Sequence, residues 1–174
     1  MNHPLNLFRY CPKCGSNQFE INNEKSKQCN NCGFIYYFNP SAATVAVIEN
    51  KQGEILVARR ANDPEKGTLD FPGGFADLYE TIEESLTREV KEETNLDVES
   101  YEFLFSIPNL YMYSTLEVHT MDMFFRCYVN NIEQLKAQDD VAELFFINKS
   151  KLNPSDFGMK SVRKAIETII NNKL

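Results

Sequence analysis

Three carboxylates crowded into one short run set the chemical question for this chain of 174 residues. Glu89, Glu92 and Glu93 fall at i, i+3 and i+4, a spacing that places them side by side on a helix. Like charges so close raise one another's pKa unless something positive intervenes. A hard divalent ion with oxygen ligands, Mg²⁺ or Mn²⁺, suits such a set. The glycines at 73 and 74 let backbone approach the helix closely, so a Gly73 carbonyl oxygen is a further ligand expected for the same ion.

A second cluster lies near the N-terminus. Cys11-Pro-Lys-Cys14 and Cys29-Asn-Asn-Cys32 are two C-x-x-C pairs, each followed by glycine and separated by fourteen residues. Thiolates two residues apart chelate one tetrahedral ion, so Cys11, Cys14, Cys29 and Cys32 are expected to hold a structural zinc. The alternative, two disulfides, is disfavoured in a chain without a secretory signal. A piece this small cannot fold on apolar burial, and the ion must supply its stability. Asn39-Pro40 breaks the chain and sets the boundary, giving a zinc ribbon over 1–38 and a larger domain over 39–174.

The elements that must position the carboxylates follow from periodicity. Ala43–Ile48 reads as a buried strand, residues 49–53 as a turn, and Glu54–Ala58 as its hairpin partner. Asp63 to Gly74 is rich in turn formers, with a short strand around Leu69–Phe71. Thr81 to Thr94 is a helix: Thr81-Ile-Glu-Glu84 fits a capping box, and Asn95 suits the left-handed stop. Strands follow around Tyr101–Ile107, Glu117–Val129 and Ala142–Ile147, and Lys160–Asn171 forms a C-terminal amphipathic helix. Strands flanked by two separated helices give an α/β layered sandwich with a mixed sheet.

A run of charge usually means a solvated helix face. The helical wheel argues otherwise here. Ile82, Leu86 and Val90 define an inward stripe; Glu93 lies about 20° from its centre and Glu89 about 60°. Two glutamates thus point toward the core side, where an unpaired carboxylate is costly. Glu92 stands to the side. Glu80 precedes the cap and is placed to fold back onto Arg88, fixing the loop against the helix.

Composition removes other classes. A net charge of −7 argues against a nucleic-acid grip through a broad basic surface. No run approaches about 18 consecutive apolar residues, so no membrane span is expected. The start Met-Asn-His-Pro-Leu-Asn lacks a basic region and apolar core, and a soluble cytoplasmic protein is the expectation.

The pattern G-x5-E-x7-R-E-U-x-E-E-x-G-U, with U aliphatic, is the Nudix box. The chain resembles it at Gly74, Glu80, Arg88, Glu89, Val90, Glu92, Glu93 and Leu96, departing only at Asn95, where the pattern has glycine. The resemblance implies a Nudix α/β/α sandwich with a mixed sheet. It also implies Mg²⁺- or Mn²⁺-dependent hydrolysis of a nucleoside diphosphate linked to another moiety. Glu89, Glu92 and Glu93 match the family's metal-binding glutamates; the base is Glu92 or a downstream loop carboxylate, Glu143, with Asp140 as its alternative. A zinc ribbon ahead of such a domain is similar to the NADH pyrophosphatases. Their S-Q-P-W-P-F-P motif has only an echo in Ser106-Ile-Pro-Asn-Leu-Tyr-Met-Tyr-Ser114, and the chain has no tryptophan, so NAD(H) and ADP-ribose stand level as substrates.

For substrate contacts, Arg59 and Arg60 at a strand end are placed to reach a phosphate. Tyr111 and Tyr113 are the aromatic residues able to stack on a base. Two other classes stand beside the enzyme: a nucleotide-sensing regulator without turnover, and an RNA-binding or decapping protein served by Lys13, Lys25 and Lys27 of the ribbon. The intact carboxylate set favours catalysis. The ribbon's economical role is structural, extending the core or forming a homodimer contact.

Overall fold

The computed structural model describes residues 3–114 and 116–172. The chain divides into two compact units, Met1–Pro40 and Ser41–Leu174. In the first, β1 (Phe19–Asn23), β2 (Ser26–Cys29) and β3 (Ile35–Tyr37) form an antiparallel sheet in the order 1-2-3. Its small core is Cys11, Phe19 and Cys29, with Cys32 and Phe34 packed against them. That is too little apolar surface to hold the unit by burial alone.

The second unit contains two three-stranded sheets. One has β4 (Ser41–Ile48) parallel to β8 (Leu116–Val129), which pairs antiparallel with β7 (Val98–Tyr113), in the order 4-8-7. The other has β5 (Glu54–Arg60) between β6 (Leu69–Asp70) and β9 (Val141–Asn148). The helices are α1 (Ile82–Thr94) and α2 (Lys160–Asn172). Strand residues alternate between two cores, as a pleat requires. Val45, Val47, Ile55, Val57 and Phe124 join the cluster containing Val162, Ala165, Ile166 and Ile169 of α2. Ala46, Ile48, Leu56, Phe125 and Cys127 join Leu86 and Val90 of α1. Helix, strand and helix layers result, with the mixed character residing in the β4–β8 pairing.

One local expectation fails. Glu54–Ala58 is not the hairpin partner of Ala43–Ile48; β4 and β5 lie in different sheets, joined through their turn by an isolated Glu49–Ile55 bridge and an Asn50–Glu54 hydrogen bond. Both edges of β4 are already taken. One pairs with β8, and the other receives residues 72–76: the Ala46 and Thr44 amides donate to the Pro72 and Gly74 carbonyls at 2.7 and 2.8 Å. The chain after the turn therefore has no free edge to join.

Local signals do place α1. The Thr81 hydroxyl accepts from the Glu84 amide while the Glu84 carboxylate accepts from the Thr81 amide, a complete capping box. Asn95 ends the helix at φ 61°, and its side-chain amide donates to the Gln134 carbonyl at 3.0 Å. A glycine there would supply the conformation but not that bond.

Candidate active site

Residues 72–76, pinned along β4, carry Gly73 and Gly74 against the face of α1. A Cβ at Gly73, whose φ is 146°, would collide with the Thr44 backbone. One at Gly74 would stand 2.5 Å from the Glu89 carboxylate. Glycine is required at 73, where the neighbour is backbone; at 74 a side chain would force the Glu89 carboxylate aside. The Gly73 amide donates to Glu93 Oε2 at 2.9 Å, so at this residue the loop presents a donor to the helix.

A cavity of about 320 Å³ opens in front of this loop. Of the residues expected from sequence, it gathers Arg60, Gly73, Arg88, Glu89, Glu92, Glu93, Tyr111 and Asp140. The glutamate side chains divide as the wheel predicts: Glu89 is 13 % exposed and Glu92 47 %, with Glu93 half-buried.

A cation does stand between two of them, and it is Arg88. Its Nε and Nη2 donate to both Glu80 oxygens at 2.8 and 2.9 Å, Nη1 to Glu89 at 2.8 Å and Glu92 at 3.0 Å, and Nη2 to the Phe75 carbonyl at 3.0 Å. Such a two-oxygen, two-nitrogen pairing is the most directional that a carboxylate accepts. It holds the Glu80 carboxyl down at about 2, chiefly through the Arg88 hydrogen bonds and then through the Asp77 amide. Glu80 itself lies outside the cavity wall, behind Arg88.

Glu93 has no such partner. Burial pushes its carboxyl up to about 8, against the Gly73 amide, and nearby Glu89, Asp70 and Asp139 add to the rise. Burial likewise raises Glu89 and Asp70. A carboxylate raised from its ordinary 4.5 to about 8 contributes stability that is complete below 4.5 and lost as pH climbs through 8. The metal-free protein is therefore expected to lose about 1.4 kcal/mol per pH unit across that window from this group. Thermal melts from pH 5 to 8 check it, and Glu93→Gln should flatten the slope.

The remaining expected residues stand elsewhere. Glu143, on β9, is exposed and paired with Arg59 at 3.0 Å, and neither lines the cavity. The carboxylates after α1 that do line it are Asp139 and Asp140, in the turn before β9. Asp140 accepts from the Asn62 amide at 2.6 Å, and Asp139 adopts φ 51°. Arg60 turns inward, bound to Asp70 at 2.9 Å and to the Pro64 carbonyl at 2.8 Å. Tyr111 meets Phe75 edge-on at 5.5 Å, while Tyr113 is exposed farther along the same strand, outside the cavity. Asp70, Phe75, Asp77 and Asp139 line the cavity without having been singled out in the sequence. Asp70 sits in a two-residue strand that gave no period to read.

In the N-terminal unit the two knuckles are alike. Gly15 and Gly33 both adopt φ 72°, and their amides donate to Cys11 and Cys29 carbonyls at 2.8 Å. The four sulfurs lie within 4.8 Å of one another, with Cys11–Cys32 at 3.8 Å, Cys14–Cys29 at 3.6 Å, and no disulfide among them. Four thiolates around one zinc at about 2.3 Å stand about 3.8 Å apart. Sharing protons splits the thiols. The Ser16 amide, then Cys32, hold Cys14 down at about 6; burial and the other three thiols push Cys32 up to about 12, against the Phe34 amide. Among the described residues no helix is long and apolar enough to cross a membrane.

Residues 39–167 match the NUDIX domain family. An ADP-ribose pyrophosphatase of Methanocaldococcus jannaschii is 35 % identical over 130 residues, 74 % of this chain and 73 % of that protein. An NAD-capped RNA hydrolase NudC of Vibrio atlanticus is 30 % identical over 106 residues, 61 % of this chain and 39 % of that one. The chain thus spans about two fifths of the length of such NudC relatives. A Nudix hydrolase from Nitrosomonas europaea superposes with a TM-score of 0.67 at 18 % identity, over 95 % of this chain and 92 % of its own. That likeness is one of fold. With Gly74, Arg88, Glu89, Glu92 and Glu93 of the box on one cavity and a family match over about three quarters of its length, the chain belongs to the Nudix hydrolase family.

Proposed function

We propose that residues 41–174 hydrolyse the pyrophosphate of ADP-ribose, with Mg²⁺ or Mn²⁺ held by Glu89, Glu92 and Glu93, and that residues 1–40 form a structural zinc ribbon. The observation that carries the first part is Glu93, a carboxylate withdrawn from water and met by a single amide donor. A carboxylate donor set of this kind, adjoining Glu89 and open to a cavity, fits a hard divalent cation, which would favour the ionised form. When bound, such an ion neutralises pyrophosphate oxygens and acidifies an attacking water.

The protein's own groups divide the remaining work. Arg88 fixes the orientation of Glu89 and Glu92, and the Gly73 amide that of Glu93. Arg60, anchored by Asp70, presents positive charge to a phosphate at the cavity wall. Glu92, the most exposed of the three glutamates, takes the proton of the water. The water oxygen bonds one phosphorus, the bridging oxygen leaves with the other, and ADP-ribose plus water become AMP and ribose 5-phosphate. The relative named ADP-ribose pyrophosphatase supports this substrate, since the match covers most of both chains. NAD(H) is a second reading, favoured by the shorter match to NudC proteins.

The test is incubation with ADP-ribose, NAD⁺ or NADH and either ion, with product identification. Release of AMP and ribose 5-phosphate from ADP-ribose is expected; no turnover of any of the three sinks the proposal. Glu92→Gln should lower kcat at least about 100-fold, the scale of a lost general base, whereas Glu143→Gln should stay within about threefold. The reverse ranking would move the base to Glu143.

A further inference from the structure

Behind the catalytic cavity lies a smaller pocket of about 80 Å³ that shares Arg60, Asp70 and Tyr111 with it. Phe71, Phe75, Met159 and Val162 give it flat apolar walls. Its polar groups are unusual. Asn109 is 8 % exposed and Thr44 1 % exposed, and among the described residues neither the Asn109 Oδ1 nor the Thr44 Oγ1 meets a hydrogen-bond partner. Buried polar atoms are nearly always hydrogen-bonded, so two orphans lining one pocket point to a ligand that completes them. Asp122 is buried beside them, its two oxygens accepting the Thr120 and Ser161 hydroxyls at 2.5 Å. Arg60 is engaged by Asp70 and the Pro64 carbonyl. The Asn109 carboxamide oxygen and the Thr44 hydroxyl are open to an occupant and the Asp122 carboxylate adds acceptors, so N–H donors on a flat, apolar body fit the pocket.

We propose that this inner pocket reads the exocyclic amino group of a heteroaromatic ring, with Asn109 and Thr44 as its specificity-determining residues. The proposal rests on the hydrolase reading above and deepens it, since the ring of ADP-ribose is adenine with its 6-amino group. The carboxamide NH₂ of a nicotinamide ring carries the same chemistry. A ring with an oxo group at that position would set a carbonyl against the Asn109 oxygen and the Asp122 carboxylate. Sites built to hydrogen-bond a group reject the analogue that lacks it far more strongly than an apolar slot does.

Equilibrium binding tests this without relying on turnover. AMP, IMP, nicotinamide mononucleotide and nicotinic acid mononucleotide are titrated calorimetrically into the full chain with Mg²⁺. AMP is expected to bind at least about tenfold more tightly than IMP. Asn109→Leu should bring that ratio close to one, and Thr44→Val, nearly isosteric, should reduce it part of the way. A preference for nicotinamide over nicotinic acid mononucleotide, lost in Asn109→Leu, would uphold the pocket's chemistry and assign it to the other ring. Equal affinities for AMP and IMP together with equal affinities for the nicotinamide pair overturn the proposal. So does an AMP preference that neither variant changes. In turnover, Asn109→Leu should raise KM for ADP-ribose about tenfold with kcat within about threefold. A protein that prefers AMP to IMP yet cleaves nothing would refute the hydrolase reading and leave the pocket standing.

Discussion

Glu93→Gln is expected to abolish most turnover, lowering kcat for ADP-ribose at least about 10³-fold at saturating Mg²⁺. Glutamine keeps the shape and still accepts the Gly73 amide, so the loop along β4 should stay in place. What is lost is the negative charge that a cation would meet. The same substitution should raise the melting temperature of the metal-free protein at pH 8, because a buried carboxylate with one donor is replaced by a neutral group. Lower activity with higher metal-free stability separates loss of a ligand from loss of fold. Wild-type turnover in this variant would remove Glu93 from the proposed ligand set.

Removing zinc is expected to unfold residues 1–40 while leaving the cavity intact. The unit's apolar core is a handful of side chains around the sulfurs, so binding free energy on the order of 10 kcal/mol or more is its folding free energy. Amide exchange in β1–β3 should become unprotected after chelation under reducing conditions, with α1 and β4 unaffected. Cys29→Ser, which replaces a fully buried thiol of the proposed zinc set, should give the same pattern without chelator. Much less than one zinc per chain in freshly purified, reduced protein would contradict the ribbon.

The two helices were legible because their signals are local. Thr81 and Glu84 form the predicted box, Asn95 the predicted stop, and Leu86 and Val90 the predicted inward stripe. The false hairpin came from a fact that no window of sequence contains: β4's second edge is taken by residues 72–76, more than twenty positions downstream. Register explains the rest. Asp140 lies in the turn before β9 and Glu143 three residues on, within it, and which side chain meets the cavity depends on how that strand pairs with β5. The bulge between Arg59 and Arg60 likewise decides which arginine turns inward. Asn109 and Thr44 read as ordinary strand residues, and only three-dimensional accounting of hydrogen bonds shows that they want partners.

Arg88 gives the site a thermodynamic character of its own. A divalent ion held by Glu89 and Glu92 would not meet a bare cluster of anions; it would share both carboxylates with a guanidinium already bound to them. Its affinity would then reflect a competition between two cations. Because Glu80 holds two of the arginine's nitrogens, the guanidinium would stay tethered beside the glutamates with or without the ion, and the helix would need no rearrangement to take it up or give it back.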